Sequence, residues 1–311
     1  MVAAALWLEF LIRWPNRIPH PIVAVGALIA LLERRWNLNP VPDGAKRWRG
    51  VWAMLVVVGC AAAAGLAIQL AFEFMMPRVS VYLCAIVGVL GLTAGSLFQH
   101  IIAVYQPLAR GDLDAARCAV SKVVGRDTAS MDATDISAAA LESLAESFND
   151  GVVAPVFWFA LGGLPALFAY KAINTADSMI GHMDPRWRAF GWAAAKVDDV
   201  ANWIPARLAG LLIVLTASVR GRFSQALGVM LKDASNHASP NAGWPEAAMA
   251  GALDVRLGGP VRYDGVLCQR PVLGKGAAPT AVHLARGLHL YLVALVLLTL
   301  SLIGGGALWL V

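Results

Sequence analysis

Long intervals without charged side chains alternate with polar segments along this chain. Residues 50–72, 79–109 and 287–311 contain no Asp, Glu, Lys or Arg. A helix needs about 20 apolar residues to cross the roughly 30 Å hydrocarbon core of a bilayer. Each of the three intervals is long enough, so each predicts a membrane-spanning helix.

Other apolar stretches are shorter or interrupted. Residues 1–11 and 18–32 are too short to cross comfortably, and residues 208–219 form only a short uncharged core. Residues 151–170 are long enough, but two prolines and a Gly-Gly pair interrupt them. Broken helices are tolerated at membrane depth where the freed backbone groups face protein or a water-filled cavity. We therefore expect some of these stretches to be re-entrant or half-crossing elements around a polar site.

The composition agrees with this pattern. Of the 311 residues, 59% are hydrophobic and 14% are charged, whereas soluble domains average about 45–50% apolar and about 25% charged residues. A soluble fold of this size cannot bury so much hydrocarbon, which excludes an ordinary soluble enzyme, a coiled coil and a disordered chain. The sequence therefore predicts an all-α integral membrane protein. We expect a polytopic helical bundle, a single membrane-embedded domain over residues 1–311, with short, broken or re-entrant helices around a polar site.

The basic residues indicate orientation and partners. The net charge is +5, and basic residues are dispersed through short loops, which favours an anionic membrane surface over nucleic acid as the partner. Five of them precede residues 50–72, so that loop is expected in the cytoplasm. The polar segments at about 109–150, 171–202 and 220–286 are predicted on the cytoplasmic side. For residues 171–202 this requires that residues 151–170 dip into the membrane and return; if they cross fully, that segment falls outside. The four cysteines form no CxxC pair, so neither a disulfide framework nor a zinc site is predicted.

The first polar segment carries an acidic stripe. Glu142, Glu146 and Asp150 recur every four residues, so they share one face of a predicted helix. Like charges at this spacing repel unless a cation lies between them, although a solvated helix face is the ordinary alternative. Because the stripe runs directly into an apolar segment, a metal or ligand face is favoured.

The second polar segment has polar residues at helical spacing on two stretches. Lys171, Asn174 and Asp177 form one set, and the other is Asp198-Asp199 followed by Asn202. An aspartate pair with a nearby asparagine offers the hard oxygen ligands that Mg²⁺ uses with nucleotide phosphates. A helix cap or a salt-bridged face is the alternative for such a short motif.

The third polar segment predicts a capped helix. Ser239 or Asn241 can cap a helix that Pro245 and Glu246 begin. The free N–H groups at such a terminus suit a phosphate or a carboxylate. An ordinary capped loop explains the same residues. We expect the three polar segments to contribute to one polar site.

Short motifs in these segments carry a family resemblance over about residues 20–260. They are His20-Pro-Ile-Val with Gly26, Leu31-Leu-Glu-Arg-Arg, Val124-Gly-Arg-Asp-Thr, Asp150-Gly-Val-Val-Ala-Pro155, Ile173-Asn-Thr-Ala-Asp-Ser-Met, Phe190-Gly-Trp-Ala-Ala-Ala with Asp198-Asp-Val-Ala-Asn, and Ser239-Pro-Asn-Ala-Gly-Trp-Pro-Glu. Together they resemble the CbiB/CobD family of cobalamin biosynthesis proteins, the adenosylcobinamide-phosphate synthases. The chain departs from the family pattern at Arg13-Trp14-Pro15, at Ser147-Phe148 and at Asp254.

The resemblance implies a carbon–nitrogen ligase in the bacterial cytoplasmic (inner) membrane, crossing it several times. Such an enzyme joins the propionate carboxylate of adenosylcobyric acid to (R)-1-amino-2-propanol phosphate, or to ethanolamine phosphate, and consumes ATP with Mg²⁺. The corrinoid and the amino-alcohol phosphate are then the substrates and membrane lipid a partner. Other enzymes of the corrinoid pathway are further candidate partners.

For this reaction we assign roles to the polar residues as hypotheses. Mg²⁺ is assigned to Asp198, Asp199 and Asp177, and the competing metal face is the acidic stripe of Glu142, Glu146 and Asp150. Phosphate contacts are assigned to Lys122, Arg126 and Lys171, and further cofactor contacts to Asn174, Asn202, Asn241 and Glu246. The catalytic carboxylates are Glu146, Asp127 and Asp150, since the amine must lose a proton before it attacks. His20 and His237 are alternative proton acceptors.

Two functions from other classes compete with this interpretation. A transporter also uses broken helices with polar groups near the membrane midplane, but it predicts two corresponding halves, and the sequence shows no such symmetry. A non-catalytic scaffold of the corrinoid pathway predicts that the acidic and asparagine positions tolerate substitution.

Overall fold

The computed structural model describes residues 1–12, 14, 19–263 and 265–308 of the chain. Arg13 and Pro15 of the departing motif, residue 18 and the last three residues of the interval 287–311 lie outside the described residues. The structure is 74% helical with almost no sheet, which confirms the predicted all-α class.

Thirteen α-helices and four short strands make up the described part of the chain. The helices are α1 (Val2–Ile12), α2 (Ile22–Trp36), α3 (Asp43–Met75), α4 (Ser80–Gly88), α5 (Ala94–Ala109), α6 (Leu113–Val120), α7 (Ala133–Phe148), α8 (Ala154–Ile180), α9 (Trp192–Ala201), α10 (Trp203–Ala217), α11 (Phe223–Asp233), α12 (Gly243–Leu253) and α13 (Ala281–Leu308). The strands are β1 (Leu257–Gly258), β2 (Val261–Tyr263), β3 (Val266–Cys268) and β4 (Val272–Leu273). β1 pairs antiparallel with β4, and β2 pairs antiparallel with β3.

Five helical segments are long and apolar enough to cross a membrane. They are Asp43–Met75, Ser80–Ala109, Ala133–Ile180, Trp203–Arg220 and Ala281–Gly306. Nearly all described residues of the three charge-free intervals therefore fall within helical segments of sufficient total length. α1 and α2, with 11 and 15 residues, are too short to be included. This arrangement is that of a multi-pass, membrane-embedded protein.

One interval predicted as a single span is broken. Residues 79–109 form α4 and α5, separated by a 3₁₀ turn at Val89–Gly91 and by two non-helical residues. The absence of charges identified the apolar length correctly, but it carries no information on where the backbone leaves the helical conformation.

The predicted break in residues 151–170 is confirmed inside α8. Gly162 and Gly163 leave the helical conformation, and Gly163 adopts φ 63° and ψ −152°, which only glycine reaches without strain. The break frees the N–H of Leu164, which donates to Oε1 of Gln69 on α3 at 3.1 Å. A polar side chain thus satisfies the backbone where the helix is interrupted, as an apolar environment requires.

The chain divides into two compact units. Unit 1 comprises Met1–Thr93 and Ala154–Asn202, and unit 2 comprises Ala94–Val153 and Trp203–Val311. The single domain over residues 1–311 stays a prediction. The first and third polar segments fall mainly in unit 2, and the second falls in unit 1.

The core of unit 1 lies between α2, α3, α8 and α9. Its buried side chains include Ile29, Met54, Val57, Ala176 and Phe190. Apolar burial and close packing between these helices stabilise the unit.

The core of unit 2 surrounds α12, in which ten of eleven residues are buried. Small residues allow neighbouring helices to approach, and a Cβ at Gly251 would collide with the backbone of Ala226 on α11. The Tyr291 hydroxyl of α13 donates to the carbonyl of Ala94 at 2.7 Å. One ionisable residue, Glu246, lies in this otherwise apolar helix.

A buried carboxylate ties α2 to the loop before α9 in unit 1. The guanidinium of Arg186 donates to both oxygens of Glu33, each at 3.0 Å. The Asn37 side chain donates to Glu33 Oε1 at 3.1 Å and to the carbonyl of Arg186 at 2.9 Å. Hydrogen bonds from Arg186 are the main cause that holds the pKa of Glu33 below its usual value.

We expect Glu33→Gln to lower the melting temperature of the full chain in detergent by a few degrees at neutral pH, because a carboxylate–guanidinium pair is lost. The folded state lowers the pKa of Glu33, so the stabilisation is complete above the usual pKa of a glutamic acid. It disappears as the pH falls through the lower, folded-state pKa. Thermal unfolding of both proteins as a function of pH measures this difference.

Arg188→Gln is the matched control, since Arg188 lies two residues from Arg186 and pairs with Asp43 at 3.4 Å with both side chains more than half exposed. It should leave the melting temperature unchanged. A loss of equal size in the control, or a Glu33→Gln loss that persists at acid pH, would contradict the assignment.

Candidate active site

A small polar cavity lies within unit 2. Its volume is about 140 Å³, and its lining residues are Val123, Val124, Gly125, Arg126, Glu142, Ser143, Glu146, Glu246, Tyr263 and Arg270. One water occupies about 30 Å³ in the liquid, and pockets for drug-sized ligands measure about 300–1,000 Å³. The cavity therefore suits a small polar ligand.

α7 supplies two of the cavity's three carboxylates. The helix begins after Asp132, whose side chain accepts hydrogen bonds from the backbone N–H groups of Thr134 and Asp135 in a capping box. Glu142 and Glu146 lie one turn apart and both line the cavity. Their predicted common face is confirmed.

The Glu142 carboxylate accepts three hydrogen bonds from residues around the cavity. Its Oε2 accepts hydrogen bonds from Arg126 Nη2 at 2.6 Å and from Arg270 Nη1 at 3.1 Å. Its Oε1 accepts one from the backbone N–H of Gly258 at 2.7 Å. The side chain is only 4% exposed. Both oxygens are thus used in joining three segments of unit 2.

Glu246 differs from Glu142 in having a carboxylate oxygen that is buried and unpaired. The residue is 1% exposed, and its Oε2 accepts no hydrogen bond in the described part of the chain. Arg270 Nη2 lies 3.7 Å from Oε2, and His237 Nε2 lies 3.7 Å from Oε1. Burial raises the pKa of Glu246 well above its usual value, and the charges of Glu142 and Glu146 raise it further.

His237 lies beside Glu246 at the start of the third polar motif. Its Nε2 lies 3.2 Å from Arg270 Nη2, and its Nδ1 lies 3.0 Å from the backbone nitrogen of Ser239. Burial lowers the pKa of His237, and the positive charge of Arg270 lowers it further. Both effects favour the neutral form of the imidazole.

The predicted capping of α12 by Ser239 or Asn241 is wrong, because the helix begins at Gly243 and its N-cap residue, Ala242, makes no side-chain capping hydrogen bond. Ser239 instead stabilises the turn that precedes the helix. Its Oγ accepts hydrogen bonds from the N–H groups of Asn241 and Ala242, both at 3.2 Å. Asn241 Oδ1 lies 3.5 Å from Nη1 of Arg207. The Arg207 guanidinium lies 4.1 Å and 4.5 Å from the rings of two tryptophans, Trp203 and Trp244, which anchors this turn through cation–π contacts.

Comparison with known proteins identifies the family. Residues 2–291 match the family described as CobD/Cbib protein. Cobalamin biosynthesis protein CobD of Rhodobacter capsulatus is 46% identical, with 99% of this chain and 98% of the relative covered. The proteins of the same name from Brucella suis and Geobacter metallireducens are 47% and 42% identical, covering 83% and 92% of this chain and 80% and 90% of the relatives. The chain belongs to the CobD/Cbib family.

The family resemblance drawn from the motifs is thereby confirmed, and a role in cobalamin biosynthesis follows. No solved structure matches the chain.

In this CobD/Cbib protein the cavity brings together four of the predicted site residues, Arg126, Glu142, Glu146 and Glu246. They come from the first and third polar segments, which meet in unit 2.

The other predicted residues of unit 2 lie outside the lining of this cavity. Asp127 Oδ2 accepts the N–H of Gly265 at 2.8 Å, so this carboxylate holds the turn between β2 and β3 and lines a neighbouring cavity of about 180 Å³. Asp150 accepts a hydrogen bond from the side chain of Asn149 at 2.7 Å, in a π-helical turn after α7. Lys122 is exposed.

The second polar segment forms a separate set in unit 1. The Tyr170 hydroxyl donates to Asn202 Oδ1, and Asn202 Nδ2 donates to Asp198 Oδ2, both at 3.0 Å. Asn202 therefore positions Asp198. Lys196 Nζ donates to Asp199 Oδ2 at 2.9 Å, and Asp177 is close enough for its charge to interact with that of Asp199.

On α8, the predicted residues Lys171, Asn174 and Asp177 follow one another at helical spacing. Lys171 lines an apolar cavity of about 460 Å³ in unit 1 together with His20.

The aspartates of unit 1 are compatible with Mg²⁺ by their chemistry. Among the described residues no three His, Cys, Asp or Glu side chains form a preassembled metal cluster. Mg²⁺ commonly binds one or two carboxylates together with substrate phosphates and waters, so a preassembled cage is not required. Asp177, Asp198 and Asp199 are carboxylates of this kind, and Asp198 and Asp199 each also accept a hydrogen bond from a neighbouring side chain. Both oxygens of Glu142 are used in hydrogen bonds that join segments of unit 2.

Arg270 and Tyr263 line the cavity, but the sequence pattern predicted no role for either residue. Arg270 lies between β3 and β4, outside every motif, and contacts two of the three cavity carboxylates. A signal was present in the charge balance, because several buried acids require more cations than Arg126 alone supplies.

We expect Glu142→Gln to destabilise the full chain by about 3–5 kcal/mol, because the buried guanidinium of Arg126 and the partly buried one of Arg270 would lose their carboxylate. Glu146→Gln is the matched variant one turn away. Glu146 is exposed to the cavity and accepts no hydrogen bond from the described residues, so its replacement should change stability by no more than about 0.5 kcal/mol. Denaturant and thermal unfolding in detergent compare the two, and equal losses would refute the anchoring role of Glu142.

Proposed function

We propose that this chain is an ATP- and Mg²⁺-dependent amide ligase of the bacterial inner membrane. It would join adenosylcobyric acid to (R)-1-amino-2-propanol phosphate, or to ethanolamine phosphate, and release adenosylcobinamide phosphate. Family membership and relatives named cobalamin biosynthesis protein CobD support this reaction class.

The cavity of unit 2 is the observation that carries the proposal. An amino-alcohol phosphate is small and has an anionic and a cationic end, and this cavity presents both guanidiniums and carboxylates in about 140 Å³. Arg126 uses only Nη2 in hydrogen bonds to the described residues, so its other N–H groups can donate to a phosphate. Arginine suits phosphate because its donors form a planar fork.

We assign the metal and nucleotide to residues of unit 1. Asp177, Asp198 and Asp199 would hold Mg²⁺, Asn202 would position Asp198, and Lys171 with Asn174 would contact phosphate. ATP, when bound, supplies the phosphoryl group that activates the corrinoid carboxylate, and Mg²⁺ neutralises phosphate charge. Glu142 is left out of the metal set because it anchors Arg126 and Arg270.

The breaks in α8 and between α4 and α5 support the alternative of a transporter, because transporters commonly contain broken helices. Purified protein in detergent separates the two functions. A ligase consumes ATP and forms the amide only when both the corrinoid acid and the amino-alcohol phosphate are present. A transporter or a scaffold forms no amide under any combination.

We expect Asp199→Asn to reduce amide formation by about 100-fold or more, because the loss of a carboxylate weakens the stabilisation of charge on the phosphoryl group. Asp114→Asn is the control, since Asp114 lies on α6 with 94% of its side chain exposed. Amide formation is measured in detergent over a range of Mg²⁺ concentrations, with membrane insertion checked for both variants. Full activity of Asp199→Asn would remove Asp199 from the metal set.

A further inference from the structure

The unit 2 cavity contains more acidic than basic side chains. Three carboxylates face two guanidiniums. Glu142 accepts hydrogen bonds from both guanidiniums, which leaves Glu146 and Glu246 without a guanidinium hydrogen bond from the described residues. The groups still available to a ligand on this side of the cavity are therefore acids, and they favour a cation.

We infer that Glu146 and Glu246 bind the ammonium end of the amino-alcohol phosphate, that Glu246 takes the proton the amine loses, and that His237 passes it to solvent. The inference rests on the proposed function and names the site and the proton acceptor for its second substrate.

Glu246 meets the requirements of a proton acceptor. Its carboxylate lines the cavity and is 1% exposed, and Oε2 has no hydrogen-bond donor among the described residues. Arg270 Nη2 lies 3.7 Å from this oxygen, beyond hydrogen-bond range. A buried oxygen without a donor is unfavourable, and a ligand ammonium would supply the missing N–H group.

The other predicted proton acceptors are engaged or lack an exit path. Asp127 accepts the N–H of Gly265 and holds a hairpin turn. Glu146 lines the cavity, but it forms no hydrogen bond or ion pair with a histidine in the described part of the chain. Glu246 Oε1 lies 3.7 Å from His237 Nε2, and the His237 side chain is 11% exposed. A proton on Glu246 therefore has a titratable, partly exposed neighbour, and at this separation the transfer needs a bridging water or a small movement of the His237 ring.

Amide formation removes two protons from the ammonium nitrogen of the amino-alcohol phosphate. The ammonium gives one proton to the Glu246 carboxylate. The nitrogen lone pair then forms the C–N bond with the carbonyl carbon of the phosphorylated corrinoid carboxyl group, and the C–O bond to phosphate breaks. The departing phosphate takes the second proton from nitrogen, and the first moves from Glu246 through His237 to water.

Charged groups from every neighbouring segment act on Glu246. They are Glu142 and Glu146 of α7, Arg126 of the loop before it, Arg270 between β3 and β4, and His237 before α12. Burial and the two glutamates raise the pKa of Glu246, and the two arginines oppose this effect. The net effect is a raised pKa of Glu246 in the free protein, and the positive charge of a bound ammonium would favour the ionised carboxylate.

Steady-state kinetics of the full chain in detergent test the proton transfer. Glu246→Gln should lower kcat by about 100-fold or more with a smaller change in KM for ethanolamine phosphate, and the rise of kcat with pH should disappear. Glu246→Asp, which keeps a carboxylate, should recover part of the rate and the pH dependence. His237→Ala should lower kcat by about 10-fold and be rescued by imidazole in the buffer, whereas His182→Ala should not respond to imidazole.

Ligand binding without ATP or corrinoid tests the ammonium site independently of catalysis. Ethanolamine phosphate should bind wild type at least about 10-fold more tightly than ethyl phosphate, which lacks the amine. The preference should disappear in Glu246→Gln, with folding checked by thermal unfolding. Equal binding of the two phosphates, or stabilisation by Mg²⁺ alone that is lost in Glu246→Gln, would overturn the inference.

The two proposals fail in different ways. If wild type forms the amide while Glu246→Gln keeps its rate and pH profile, the proton transfer is overturned and the ligase stands. If wild type forms no amide with any substrate combination, the ligase is overturned and the binding comparison alone decides the ammonium site.

Discussion

The buried carboxylate of Glu142 organises unit 2. It accepts hydrogen bonds from two guanidiniums and one backbone N–H, and these donors belong to Arg126, Arg270 and Gly258, which are far apart in the chain. In a low-dielectric environment such bonds are strong, and removal of one partner leaves a buried charge unpaired. The loop after α6, the first strand and the loop between β3 and β4 are therefore held on one face of α7. Without Glu142, these three segments would lose the hydrogen bonds that hold them around the polar cavity.

The same requirement, that buried polar groups be satisfied, explains how the apolar helices accommodate polar residues. At the break of α8, Gln69 accepts the N–H that Gly162 and Gly163 leave without a helical partner. Asn202 is buried and uses both ends of its amide, toward Tyr170 and Asp198. Glu246 Oε2 departs from this rule within the described residues. A departure of this kind in a cavity is typical of a functional group whose partner is a ligand.

Sequence spacing predicted the relative positions of side chains where helical periodicity controls the geometry. Glu142 and Glu146 are four residues apart, and their common face follows from 3.6 residues per turn. Asp150 continues the same spacing, but the π-helical turn Asn149–Val153 changes the register after Phe148. Asp127 follows Arg126 directly, yet it binds the β2–β3 turn while Arg126 reaches the cavity. The side-chain directions of adjacent loop residues follow no regular period. Sequence spacing therefore could not predict that Arg126 reaches the cavity and Asp127 does not.

The sequence by itself determined the class of the protein and its family. The apolar length of each helical segment follows from composition, because transfer into hydrocarbon depends on the residues and not on their neighbours in space. Motif order likewise needs no structure. Tertiary structure alone decided that Arg270 and His237 approach Glu246, that both oxygens of Glu142 are used, and that one interval is broken between α4 and α5. These features depend on contacts between residues distant in the chain and on local backbone geometry, neither of which charge spacing or hydropathy encodes.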